Sequence, residues 1–169
     1  MNTLTPARRK AGLLIGTFLL ATAVAAAPAP KLTDATVRAL MAEVVAASKA
    51  RDVERIGAVL ASDCTVAFAG NDPSQPQLDE MTRDQYLARL RDGYSSLSTL
   101  KAYDYSISNL QVAPSADGRQ AIVDADVTET LSFNDHEVVT HSHEASVVEL
   151  REGKALIVKV RGSVTGTTR

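Results

Sequence analysis

Arg119 to Phe133, RQAIVDADVTETLSF, is the stretch whose reading decides the fold. Ala121, Val123, Ala125, Val127, Leu131 and Phe133 fall on one parity, and Asp124, Asp126, Thr128, Thr130 and Ser132 on the other. A period of two is the mark of a half-buried β-strand. The same rhythm extends from Ala102 to Thr165, broken only by turn residues at Pro114 to Gly118, Asn134-Asp135 and Glu152-Gly153. Four strands are therefore expected. The first changes phase: Tyr103, Tyr105 and Ile107 share one parity, Leu110 and Val112 the other. One extra residue near Ser108-Asn109 reconciles them, so a β-bulge is expected there.

Before Leu100 the spacing is helical. Thr33 or Asp34 can cap a first helix whose inner face carries Val37, Leu40, Met41, Val44, Val45 and Ser48. A shorter helix follows Asp52, with Val53, Ile56, Val59 and Leu60 turned inward. A short strand is expected over Thr65 to Ala69, and Gly70 to Glu80, with Pro73 and Pro76, reads as an exposed loop. Thr82-Arg83-Asp84-Gln85 fits a capping box opening a third helix that buries Tyr86, Leu87, Leu90 and Tyr94. Helices followed by a run of antiparallel strands predict an α+β domain, one curved sheet folded around three helices.

The N-terminus reads as an address. Arg8, Arg9 and Lys10 precede an uncharged apolar run from Ala11 to Ala27, and Ala23-Val24-Ala25 offers a small-residue cleavage site. Residues 1–25 are expected to be a signal peptide, 26–31 a linker and 32–165 the domain. The alternative is an uncleaved anchor, although the run is slightly short of the roughly 20 residues a spanning helix needs. The mature protein would be periplasmic or secreted and free of the membrane. Losing the leader takes the formal net charge from −2 to −5. That acidic balance, without a Lys/Arg cluster, argues against a nucleic-acid partner. Cys64 is the only cysteine, so no disulfide can form within the chain; in step with Val66 and Phe68, it reads as a small buried apolar residue.

The chain resembles the NTF2-like superfamily, the SnoaL-like and ketosteroid-isomerase-like cone fold shared with scytalone dehydratases and small polyketide cyclases. The resemblance rests on Ala47-Ser48-Lys49-Ala50-Arg51-Asp52-Val53-Glu54-Arg55-Ile56, where a long helix breaks at an Arg-Asp step before a short one leads into a strand. The hairpins at Asp117-Gly118 and Glu152-Gly153 also fit. In the last strand, where members often carry Trp and His, this chain has Ala155 or Leu156 and Arg161. The resemblance implies an enclosed pocket inside the cone and no cofactor.

One residue breaks the alternation. Glu129 sits on the apolar parity between Val127 and Leu131, where a carboxylate is costly to bury without a partner or water. If Asn134 to His136 form a three-residue loop, Glu129 stands opposite His141 and Val127 opposite His143. A five-residue loop puts Glu129 opposite His143. Either places a carboxylate and two imidazoles on one surface, at cross-strand Cβ distances of about 4.5–5.5 Å. A loop of two or four residues flips the relation and destroys the cluster. Three readings stay open: the Glu129–His141 pair performs acid–base work, Glu129, His141 and His143 orient a small ligand, or the groups satisfy one another at a wet cone mouth. His141 and His143 also share a strand face, but zinc wants three or four ligands and only Glu129 offers a third, so no metal is expected. Tyr86, Tyr94, Tyr103 and Tyr105 read as core aromatics, with the hydroxyl of Tyr86 or Tyr94 able to line the pocket.

The expected function is binding of a small apolar or amphipathic molecule, without catalysis or with weak catalysis. A cofactor-free isomerase, dehydratase or cyclase using Glu129 as base and His141 as its partner is the rival. An envelope interaction module is the third class. A homodimer is also expected, because the preferred register aligns Ile122, Val148 and Ile157 as an apolar row on the outer sheet face.

Overall fold

The computed structural model describes residues 30–69 and 79–168. The expected signal segment, most of the linker and most of the Gly70 to Glu80 loop lie outside the described residues. Thr33 opens α1 (Asp34–Ala50): its hydroxyl accepts the Thr36 backbone N–H at 3.2 Å, and Thr36 Oγ1 accepts the Thr33 N–H at 2.8 Å. α1 stops at Arg51, which takes a left-handed backbone with φ of 54°. Asp52 then caps α2 (Val53–Val59) by accepting the Arg55 N–H at 3.0 Å. The Arg51-Asp52 step is thus a true break between two helices.

α2 runs directly into β1 (Leu60–Ala69), a longer strand than expected. β2 (Asp79–Thr82) occupies the end of the stretch read as loop. It escapes pattern reading because four residues pairing along β1 show no period of their own. Thr82 and Gln85 form the expected capping box at the start of α3 (Arg83–Ser96). β3 (Ala102–Pro114), β4 (Gln120–Ser132), β5 (Glu137–Arg151) and β6 (Lys154–Thr168) follow.

The strands form one six-stranded sheet in the order β2-β1-β6-β5-β4-β3. All neighbours are antiparallel except β1 and β6, which run parallel. The expected bulge lies between Ser108 and Gln111, where Asn109 has φ of 52°. The β5–β6 hairpin turns on Glu152 and Gly153, both at positive φ (51° and 80°), as a tight two-residue turn matched to strand twist requires. Helices and sheet meet over a core in which Val37, Cys64, Val66, Val123 and Val148 are fully buried. Burial pushes the Cys64 thiol up to about 11, consistent with a packing role. Ahead of α1, the Leu32 N–H donates to the Gly118 carbonyl at 2.7 Å, tying the chain's approach to the β3–β4 turn. Among the described residues no helix is long and apolar enough to cross a membrane.

Two expectations about strand register are overturned. The β4–β5 connection has even length: the Phe133 N–H donates to the His136 carbonyl at 2.9 Å, and the two rings stack with centroids 4.7 Å apart. Closing the turn on this pair sets Glu129 opposite Thr140, Thr128 opposite His141 and Asp126 opposite His143. His141 and His143 therefore lie on the opposite face from Glu129. The same shift dissolves the expected outer row. Ile122 stands opposite Val147 and is 52% exposed, whereas Val148 and Ile157 are core residues. The row that motivated a homodimer is not on the outer face.

Candidate functional site

The concave face of the sheet is set by the inward parity of β4. Ala121, Val123, Ala125 and Val127 are buried there, and Glu129 follows on the same side. Glu129 lies opposite Tyr105 on β3, and Tyr103 lies one inward position farther along, opposite Leu131. The Tyr103 hydroxyl donates to Glu129 Oε1 at 2.7 Å. Tyr94, from the last turns of α3, meets the Tyr103 ring edge-on, with centroids 5.9 Å apart and planes at 77°. Tyr86 lies two helical turns earlier on the same helix, so α3 and β3 together bring all four tyrosines of the chain toward Glu129.

A second carboxylate joins this face. The true register puts Glu144 opposite Ala125, on the inward parity of β5. Its Oε1 accepts the Ser142 hydroxyl at 3.0 Å. Gly162, its partner on β6, leaves the necessary space: a Cβ there would come within 3.1 Å of Glu144 Cγ and 2.8 Å of Phe68 Cε1. Burial holds the Glu144 carboxyl above the ordinary carboxylate range, with the Ser142 hydroxyl offsetting part of that rise. Among the described residues no cationic side chain forms an ion pair with Glu129 or Glu144.

The phenols respond to the same surroundings. Burial, then the hydrogen bond to Glu129, holds Tyr103 well above the usual tyrosine value. Burial also raises Tyr86 and Tyr105, with the Glu144 charge the next cause in each. Tyr94 is raised by burial as well. A carboxylate touched by one phenol keeps a second oxygen, and here Oε2 of Glu129 has no protein donor among the described residues. The arrangement can accept a donor from a ligand, or a proton.

Of the residues singled out in the sequence, Glu129, Tyr86 and Tyr94 are on this face, and His141 and His143 are not. Tyr103, read as core, is the direct partner of Glu129. Glu144 was missed because its parity followed from the expected odd-length loop; an even turn at Asn134-Asp135 would have revealed it. Among the described residues no group of three or more His, Cys, Asp or Glu side chains is arranged to hold a metal ion.

No protein-family model and no curated protein matches this chain. Solved structures do. A candidate scytalone dehydratase from Novosphingobium aromaticivorans is 16% identical, with a TM-score of 0.62 over 80% of this chain and 85% of that one. A hexachlorocyclohexane dehydrochlorinase from Novosphingobium barchaimii is 13% identical, with a TM-score of 0.63 over 80% and 88%. An NTF2-like protein from Cytophaga hutchinsonii is 17% identical, with a TM-score of 0.56 over 78% and 95%. At these identities the likeness is one of fold.

Proposed function

Because the chain has the NTF2-like fold, a curved and unclosed sheet around three helices, we propose that its concave face binds a small apolar or amphipathic molecule in the periplasm or outside the cell. Glu129 anchors the polar end of the ligand through its open oxygen. Tyr94 and Tyr86 supply aromatic surface beside it, and Tyr103 holds the carboxylate in place. One observation carries this reading: an inward carboxylate fixed by a phenol at 2.7 Å, with every tyrosine of the chain near it. A few placed polar groups in apolar surroundings are the usual make-up of a ligand site. Export rests on the basic and apolar N-terminal segment, and cell fractionation tests it.

Native mass spectrometry of the freshly purified protein, looking for a co-purifying small molecule, tests the binding. A bound molecule should be lost, or its affinity should fall about 10-fold, in Glu129→Gln, the usual scale for a hydrogen bond to a charged group. Unchanged affinity in that variant removes the site.

The hydrogen bond itself favours a second reading. A carboxylate beside a phenol is a base with a neighbouring proton donor, and two of the similar structures are described as a dehydratase and a dehydrochlorinase. Proton abstraction by Glu129, with Tyr103 as donor, would need no cofactor. The version that used His141 has lost its partner to the other face of the sheet. Turnover abolished by Glu129→Gln with binding retained would select catalysis over binding alone.

A further inference from the structure

The outer face of the sheet carries a second polar cluster that the concave site does not use. His141 and His143 are two residues apart on β5, a spacing that places both side chains on one face, about 6.6 Å apart along the strand. Each imidazole is held through Nδ1. Asp126 Oδ1, directly across on β4, lies 2.9 Å from His143 Nδ1. The other oxygen of Asp126 accepts from Asn109 Nδ2 at 2.7 Å, so the bulge on β3 fixes the carboxylate. Thr128 Oγ1, directly across from His141, lies 3.1 Å from its Nδ1.

The carboxylate contact decides where the free lone pair of His143 is. An ionised carboxylate only accepts, so the His143 proton sits on Nδ1 and its Nε2 is left unprotonated when the ring is neutral. The Thr128 hydroxyl can donate or accept, and when it accepts the Nδ1–H of His141 that ring takes the same tautomer. Among the described residues neither Nε2 has a hydrogen-bond partner. Both rings line an open groove of about 400 Å³, with Ser108 and Ser163 on its flanks. An imidazole whose Nδ1–H is held by a carboxylate or hydroxyl is a ring prepared to ligate through Nε2.

We propose that His141 and His143 chelate one first-row transition-metal dication through their two Nε2 atoms. Asp126 and Thr128 are positioning residues behind the ligands. The remaining coordination positions face the groove and belong to water or to a small exogenous ligand. The site is bidentate: among the described residues no third His, Cys, Asp or Glu ligand joins it, and Glu129, the third ligand weighed from the sequence, is on the other face of the sheet. Imidazole ligands suit Cu²⁺ and Ni²⁺, with Cu²⁺ bound tighter.

Titration of the full chain with CuCl₂ and NiCl₂ by calorimetry, with circular dichroism to confirm folding, tests the site. One ion per chain should bind, and His141→Ala and His143→Ala should each weaken it by about 10-fold or more, the scale also expected for Asp126→Asn. His136→Ala should leave binding unchanged. Electron paramagnetic resonance of the Cu²⁺-loaded protein should show two imidazole nitrogens, one in each His141 or His143 variant, and still two in Asp126→Asn. No binding at millimolar metal, affinity unaffected by either histidine variant, or a signal that follows His136 instead would overturn the assignment.

Discussion

Glu144 and the four tyrosines are where burial and ionisation conflict most directly. The Glu144 carboxyl is raised by burial and by the Glu129 charge, and lowered in part by the Ser142 hydroxyl and the His143 charge. A carboxylic acid whose folded value lies above its unfolded one adds stability below the unfolded value and loses it as pH rises through the folded one. Glu144→Gln should therefore raise the melting temperature at pH 7, with the gain vanishing near pH 3, where the wild-type acid is also protonated. A gain of equal size at both pH values would point to packing instead of charge. The phenols follow the same sign at the alkaline end: stability they contribute is lost only as pH rises through their elevated values. A free tyrosine is half ionised near pH 10. The chain has four tyrosines and no tryptophan, so phenolate absorbance reports this site alone. At pH 10 the folded protein should show far less than half the phenolate signal of the guanidinium-unfolded chain. Equal signals with native circular dichroism would mean that these rings are open to solvent. The inward place of Glu129 was readable because it interrupts a strict alternation. The inward place of Glu144 was not, since no single residue of β5 announces its parity.

The reason lies in the strands as units. β4 carries apolar residues on one parity through Val127, so its faces are legible from sequence. β5 carries Val138 beside Val139 and Val147 beside Val148, so either parity can be buried and the pattern is silent. The choice falls to the turn, where the Phe133–His136 stack favours an even connection over the odd one. Helix ends were far easier to read, because capping residues act locally: Thr33, Asp52 and Thr82 each cap the helix that their sequence suggests. The bulge at Asn109 was likewise forced by a phase change within one strand. The β5–β6 hairpin makes its own test. Glu152 holds a left-handed conformation that a residue with a Cβ reaches at some cost, and Asn fits the first position of such a turn better. Glu152→Asn should stabilise the fold by about 0.5–1 kcal/mol in urea denaturation, part of the roughly 1–2 kcal/mol that a left-handed residue costs, since Asn keeps the conformation but tolerates it better. A neutral or destabilising result would mean that the Glu152 side chain has a role of its own.

At the scale of the whole molecule, the chain's entry and its last strand hold distant parts together. Gly118 combines φ of 69° with a neighbour that leaves no room: a Cβ would lie 2.8 Å from Lys31 Cβ. Gly118→Ala should cost about 1–2 kcal/mol for the backbone alone, measured as a lower denaturation midpoint at constant slope, and more if the Leu32 hydrogen bond is lost with it. The parallel pairing of β1 with β6 has a different kind of consequence, one of timing. Val66 pairs with Val160, so one edge of β1 stays bare until β6, far along the sequence, has been made. A nascent chain that lacks β6 cannot complete this sheet, and closure waits for a contact between segments distant in sequence, the kind that slows folding toward milliseconds or longer. Deleting residues 154–169 should abolish cooperative unfolding and not merely lower the midpoint, because it removes the strand that joins β1 to β5. For the export proposed above, the same delay would give a translocation channel its interval: until β6 emerges, the polypeptide would remain a thread that can still be pulled through.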